Sequence, residues 1–150
     1  MRLTLWTDYA LRTLIYVGAK RDGLSTIKEI AESFDVSKAH LMKVVTKLGQ
    51  QGYVETVRGK GGGLRLGYPP AEIAVGAVVR ETEEDLAVVG CLGEAGFCRI
   101  EGCCVLRQAL SEATNAFLQT LDGYTLADLL EPRTSLARSL GLSDEVRLSS

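Results

Sequence analysis

All four cysteines of the chain, Cys91, Cys98, Cys103 and Cys104, fall within one stretch, GCLGEAGFCRIEGCCVL, at residues 90–106. Thiolate is a soft ligand for iron and zinc and a nucleophile toward oxidants. Spacing decides which chemistry the stretch suits. Six residues separate Cys91 from Cys98; four separate Cys98 from Cys103 and five separate it from Cys104. Structural zinc favours knuckles of closely spaced cysteines. The one tight pair here, Cys103-Cys104, is adjacent, and adjacent side chains do not readily converge on one ion. An iron–sulfur cluster is larger than one ion and accepts wider, irregular spacing. A thiol switch or a disulfide stays open. By spacing alone the order is cluster, then thiol switch, then zinc.

The compartment bears on that order. The N-terminal residues have no long apolar core and no small-residue cleavage site, and they carry Asp8, Arg12 and Lys20 at helical intervals. No signal peptide is expected. No window approaches the run of apolar residues that spans a membrane, so the expected location is cytoplasmic, with no membrane partner. The cytosol is reducing, and clustered cytosolic thiols point to metal binding or redox chemistry rather than a disulfide framework.

The elements that must hold this stretch follow from charge and periodicity. The chain has 150 residues and a net charge of −2. That balance hides an asymmetry: residues 1–68 hold 11 Lys and Arg against 6 Asp and Glu, whereas residues 69–150 hold 6 against 13. A basic half joined to an acidic half suggests that one part meets a polyanion.

In the basic half, residues 7–19 place Leu11, Leu14, Ile15 and Gly18 on one helical face, with Thr7 as cap and Asp8 in the first turn. A second helix begins after Ser25, its expected cap, with Ile27, Ile30, Ala31 and Phe34 inward. A third is expected to start at Ser37, bury Leu41, Val44, Val45 and Leu48, and end at Gly52. Its outward face carries Lys38, His40, Lys43 and Lys47. Two short helices joined by a tight turn are a helix-turn-helix. The next residues, YVETVRGKGGGLRLG, alternate like a strand, break at glycines and resume, which reads as a hairpin with a basic tip. The expected fold is mainly α with a small β-wing: a winged helix-turn-helix over residues 1–68. Ser37, Lys38, His40 and Lys43 are expected to face a major groove, with Arg58 and Lys60 reaching phosphates or a minor groove.

The acidic half is expected to open with a linking helix over residues 69–85 that buries Ile73, Ala77 and Val78. The cysteine loop follows at residues 86–104. A long helix and a short closing helix occupy residues 105–131, and residues 132–150 form an uninformative tail. Leu106, Ala109, Leu110, Ala113, Ala116, Phe117 and Leu121 recur at three- and four-residue steps along the long helix. A second copy of the same helix is the simplest partner for that stripe, giving a homodimer that reads palindromic double-stranded DNA.

This order of elements resembles the BadM/Rrf-type bacterial regulators. The opening LTLWTDYALRTLIY, the wing VRGKGGGLRLG and the run LDGYTLADL are similar to the nitric-oxide-sensing repressors of that family, and the resemblance reaches about Glu131. It implies an iron–sulfur cluster, 4Fe–4S ahead of 2Fe–2S, that controls DNA binding. Cys91 and Cys98 match the first two ligands, and Cys104, directly before the long helix, matches the third. Cys103 is an extra thiol. Where related members carry a ligating histidine, this chain has Arg107, which cannot ligate. The fourth ligand implied is a carboxylate near the start of the first helix, Asp8, presented from the partner subunit. From the residues alone, Asp8 is a first-turn acid paired with Arg12 at i+4.

The expected function is therefore a cluster-dependent transcriptional repressor, not an enzyme, that senses nitric oxide through nitrosylation of its cluster. Sensing of iron or cluster supply is the alternative within the family. A thiol-based redox protein without DNA binding is the alternative outside it, and the basic wing argues against that.

Overall fold

The computed structural model describes residues 2–93 and 98–142. Helix α1 spans Leu5–Ala19. It starts one half-turn earlier than the pattern of residues 7–19 suggests, because Thr4, not Thr7, is the cap: the Thr4 hydroxyl accepts the Thr7 N–H at 3.3 Å. Thr7 is instead fully buried.

Helix α2 (Ile27–Phe34) likewise takes its neighbour as cap. Thr26 and Glu29 form a reciprocal capping box, while the expected cap, Ser25, pairs its backbone with Leu64 in both directions, at 2.7 and 3.0 Å. Asp35 closes α2 in the left-handed region, with φ of 51°, and after this tight turn the chain enters α3 (Lys38–Gln50). Ser37 holds the cap position of α3 but its side chain makes no capping bond. Leu41, Val44, Val45 and Leu48 are buried as the periodicity predicts, each contributing on the order of 2 kcal/mol.

Strands β1 (Val54–Val57) and β2 (Gly63–Leu66) pair antiparallel, with Val54 opposite Leu66 and Val57 opposite Gly63. At the tip between them Gly59 and Gly61 have φ of 99° and 76°, a region costly for any residue with a Cβ.

The core runs past residue 68. Ile73, Val78, Leu126 and Leu130 join the same cluster as Leu14, Ile30 and Leu48. A 3-10 turn at Pro70–Glu72 leads to α4 (Val75–Thr82), a shorter helix than the linking helix expected. Ala77, expected to be buried on it, is only half-buried, and Val75, Val79 and Thr82 are buried instead. Helix α5 (Val105–Asp122) is about 27 Å long. Its end is clamped to α4: Arg80 grips Asp122 with both nitrogens, and a Cβ on Gly76 would meet the Asp122 carboxylate at 2.0 Å. The chain then returns to the core, Leu126 N–H donating to Ile73 C=O at 2.8 Å, and forms α6 (Leu126–Leu129). The tail holds a helix that its composition does not announce, α7 (Arg133–Ser139), and Leu136, Leu140 and Leu142 pack on the core. Among the described residues, no helix is long and apolar enough to cross a membrane.

Candidate DNA-binding face and cysteine site

The first candidate site is the outer face of α3 with the wing. Ser37, Lys38, His40 and Lys43 are all exposed on the first two turns of α3, and Arg58 and Lys60 are exposed at the wing tip. The ion pairs among the described residues use none of these four cations. Arg65, by contrast, is held by Glu55 across the hairpin at 2.7 Å, and Lys47 sits 5.4 Å over the Trp6 ring. The base of the wing is braced from below. Lys20 Nζ donates to Leu24 C=O and to Glu29, each at 2.8 Å. Burial pushes the Glu29 carboxyl up, but the Lys20 ammonium and two bonds from Thr26 outweigh it and hold the group below its ordinary value. His40 lies with its ring 6.3 Å from that of Tyr9 on α1, so the face is seated directly on the first helix.

The second candidate site is the cysteine loop. Cys91 lies in a 3-10 turn, Gly90–Leu92, and Cys103 in another, Glu101–Cys103. All four cysteines are free; Cys91, Cys98 and Cys104 are half-buried and Cys103 is exposed. Cys104 is the N-cap of α5, its Sγ accepting the Arg107 backbone N–H at 3.4 Å. The extra thiol faces elsewhere: Cys103 Sγ donates to Ile100 C=O at 3.5 Å. A hollow of about 560 Å³ beside α5 is lined by Cys103, Cys104, Glu101 and Arg107, among others, but by neither Cys91 nor Cys98.

The spacing of the cysteines does not reveal what ties these turns together. Arg107 Nε donates to the Cys91 carbonyl at 3.3 Å, and its Nη2 lies 3.4 Å from Glu101. The residue in the histidine position thus acts as a bracket between the two cysteine-bearing turns. Its place three residues after Cys104 is the only hint the sequence carries.

Asp8 is half-exposed, and its Oδ1 accepts from Arg12 Nε at 2.9 Å. Within one chain it is therefore the helix-surface acid that its i+4 spacing predicts. Among the described residues no three ligating side chains gather closely enough to hold a metal ion. The donors nonetheless fit an iron–sulfur group in kind: three half-buried free thiols, one of them already facing a backbone N–H.

The family model described as iron-dependent transcriptional regulator, Rrf2, matches residues 3–132. The chain belongs to the Rrf2 family. It is 49% identical over 146 residues to the HTH-type transcriptional regulator NsrR of Bacillus subtilis, covering 96% of this chain and 100% of that one. It is 55% identical over 142 residues to NsrR of Geobacillus kaustophilus, covering 93% and 96%. The structure of CymR, the global cysteine regulator of B. subtilis, matches with a TM-score of 0.72 at 26% identity, over 86% of this chain and 95% of that one. The T. potens IscR structure matches with a TM-score of 0.67 at 26% identity, over 88% of each chain. This Rrf2 protein is a winged-helix transcriptional regulator, and its relatives are regulators rather than enzymes.

Proposed function

We propose that this chain is a cytoplasmic, homodimeric repressor whose affinity for palindromic DNA is set by an iron–sulfur cluster, of the 4Fe–4S type, that answers to nitric oxide. The observation that carries the reading is a set of three half-buried free thiols in the segment leading into α5, Cys91 on a short 3-10 turn, Cys98 further along and Cys104 capping the helix. The NsrR relatives and the family description point the same way.

Cys91, Cys98 and Cys104 would hold the cluster, with Asp8 of the partner subunit as the fourth ligand. When bound, the cluster supplies iron that reacts with a diatomic gas. The protein's own residues do the rest. Arg107 holds the Cys91 turn against the start of α5. Cys104 caps α5, its Sγ accepting the Arg107 backbone N–H. Asp8, a harder and weaker partner for iron than thiolate, sits on the helix that seats α3, so its engagement links the cysteine loop of one subunit to the DNA-binding unit of the other. In one chain, Val105 and Leu106 on α5 stay 77% and 65% exposed; a second copy of α5 covers them. Ser37, Lys38, His40 and Lys43 enter the major groove, and Arg58 and Lys60 reach the backbone or the minor groove.

The test is iron and acid-labile sulfide in protein purified without oxygen, then DNA affinity before and after stoichiometric nitric oxide. Wild type should hold both elements and lose affinity on treatment. Asp8→Ala should still load, because three thiolates remain, but its affinity difference should shrink within the roughly 5- to 150-fold typical of coupled sites. Protein with neither iron nor sulfide would overturn the reading. Loaded protein indifferent to the gas would favour iron or cluster-supply sensing.

A further inference from the structure

The N-terminus of α1 is capped twice. Thr4 supplies the local cap, and a second cap comes from a residue 79 positions away in sequence, Glu83, which follows α4. The Glu83 carboxylate accepts the Thr4 backbone N–H at 2.8 Å and the Thr4 hydroxyl at 3.0 Å. It also accepts the hydroxyl of the fully buried Thr7. A carboxylate at a helix N-terminus meets both unpaired N–H groups and the positive end of the helix dipole.

The position of Glu83 gives this cap a second role. On one side it closes α4, its backbone N–H donating to Val79 C=O at 2.9 Å. On the other it begins the stem of the cysteine loop. Two residues on, Asp85 accepts the Ala87 N–H at 2.7 Å, and its carboxylate lies 3.4 Å from where a Cβ on Gly93 would sit. Gly93 is the residue that closes the turn carrying Cys91. The stem therefore folds back on the Cys91 turn at one end and grips α1 at the other. The gripped turn of α1 is the one that carries Asp8, whose N–H donates to Thr4 C=O at 3.1 Å. It is also the turn that touches α3, through Trp6 under Lys47 and Tyr9 beside His40.

We propose that Glu83 is a positioning residue that couples the cysteine loop to the DNA-binding face within one subunit, by holding the first turn of α1 to the stem of the Cys91 turn. This deepens the proposed function and rests on it. The bond from the partner's Asp8 links the two subunits, whereas the Glu83 contact lies inside one chain and persists whichever subunit supplies the fourth ligand. A shift of the Cys91 turn then pulls on the Thr4–Thr7 turn and moves α1 against α3.

The variants are Glu83→Gln, which keeps the size but places an amide among three donors, and Glu83→Ala, which removes the grip. Each is compared with wild type as the intact chain, cluster-loaded and chelator-stripped. Iron and sulfide per chain should stay at the wild-type value in both variants. The ratio of DNA affinities between loaded and stripped protein should fall at least about threefold in Glu83→Gln and further in Glu83→Ala. Amide exchange at residues 5–8 supplies a second readout: loading should protect this turn in wild type and leave it unchanged in Glu83→Gln. A cap that serves stability alone would lower the melting temperature of both forms equally and leave the affinity ratio intact; that result, or loading that still protects residues 5–8 in Glu83→Gln as it does in wild type, overturns the inference alone. Wild type that holds no cluster, or binds DNA equally in both forms, overturns the proposed function and the inference with it.

Discussion

The chain has two glycine-rich loops, the short wing tip between β1 and β2 and the longer cysteine loop between α4 and α5, and they are organised by different means. In the wing the backbone dictates the residues. Gly59 and Gly61 take positive φ, and a Cβ on Gly62 would meet the Val57 carbonyl at 2.2 Å. In the cysteine loop nothing lies within 4 Å of a Cβ added to Gly90 or Gly102, so those glycines answer to no close neighbour. The described parts of that loop are held by side chains instead: Arg107 bracketing Cys91 and Glu101, Asp85 beside Gly93, and the cap sulfur of Cys104. A loop fixed by its backbone is ready before its ligand arrives. A loop held by a few side chains can change when what it binds changes, which suits a sensor.

The sharpest way to break this comparison lies in the thiols. Cys104→Ser should abolish cluster loading, while Cys103→Ser, which removes only a thiol turned toward Ile100, should keep the wild-type iron and sulfide content. The reverse outcome would place the third ligand one residue earlier and make the exposed side of the loop its organising side. Next comes the pair Gly62→Ala and Gly102→Ala. The first should cost about 2 kcal/mol in chemical unfolding, because the hairpin must open to admit the methyl group, and the second should fall within about 0.5 kcal/mol of wild type. Equal costs would erase the distinction between the two loops.

Smaller effects sharpen the wing side. Lys60→Ala should weaken DNA binding across sequences and reduce the slope of affinity against salt by about one unit, the effect of a single phosphate contact. An unchanged slope would remove Lys60 from the face. The smallest effect concerns the base of the wing. The Glu29 pKa is held below its ordinary 4.5 by Lys20 and Thr26, against the opposing effect of burial. A lowered folded pKa means stability that is present above the unfolded value and lost as pH falls through the folded one. Acid titration should therefore loosen the Lys20–Glu29 brace below about pH 4.5, and Glu29→Gln should flatten the stability profile there; a profile identical to wild type would exclude the brace.

Much of this was legible in the residue pattern. The buried face of α3 is set by a 3.6-residue period, and the wing by alternation broken at glycines, so both follow from local rules. Four cysteines in one stretch name a class of chemistry without any fold. The caps of α1 and α2 are Thr4 and Thr26 rather than Thr7 and Ser25, because several threonines and serines compete and only the register of the formed helix selects among them. Helix α4 stops at Thr82 although the glutamates after it continue a helical pattern, because the packed face ends there.

What the sequence alone determined was chemistry and period: soft thiols in one loop, a basic face on one helix, an apolar stripe on another. The packed fold settles which residues meet over long separations. Arg107 on Cys91, Asp122 on Arg80 and Glu83 on Thr4 join residues 16, 42 and 79 positions apart. No periodicity encodes such pairs, because a hydrogen bond between distant residues depends on where the core places their helices and not on the spacing of the residues themselves.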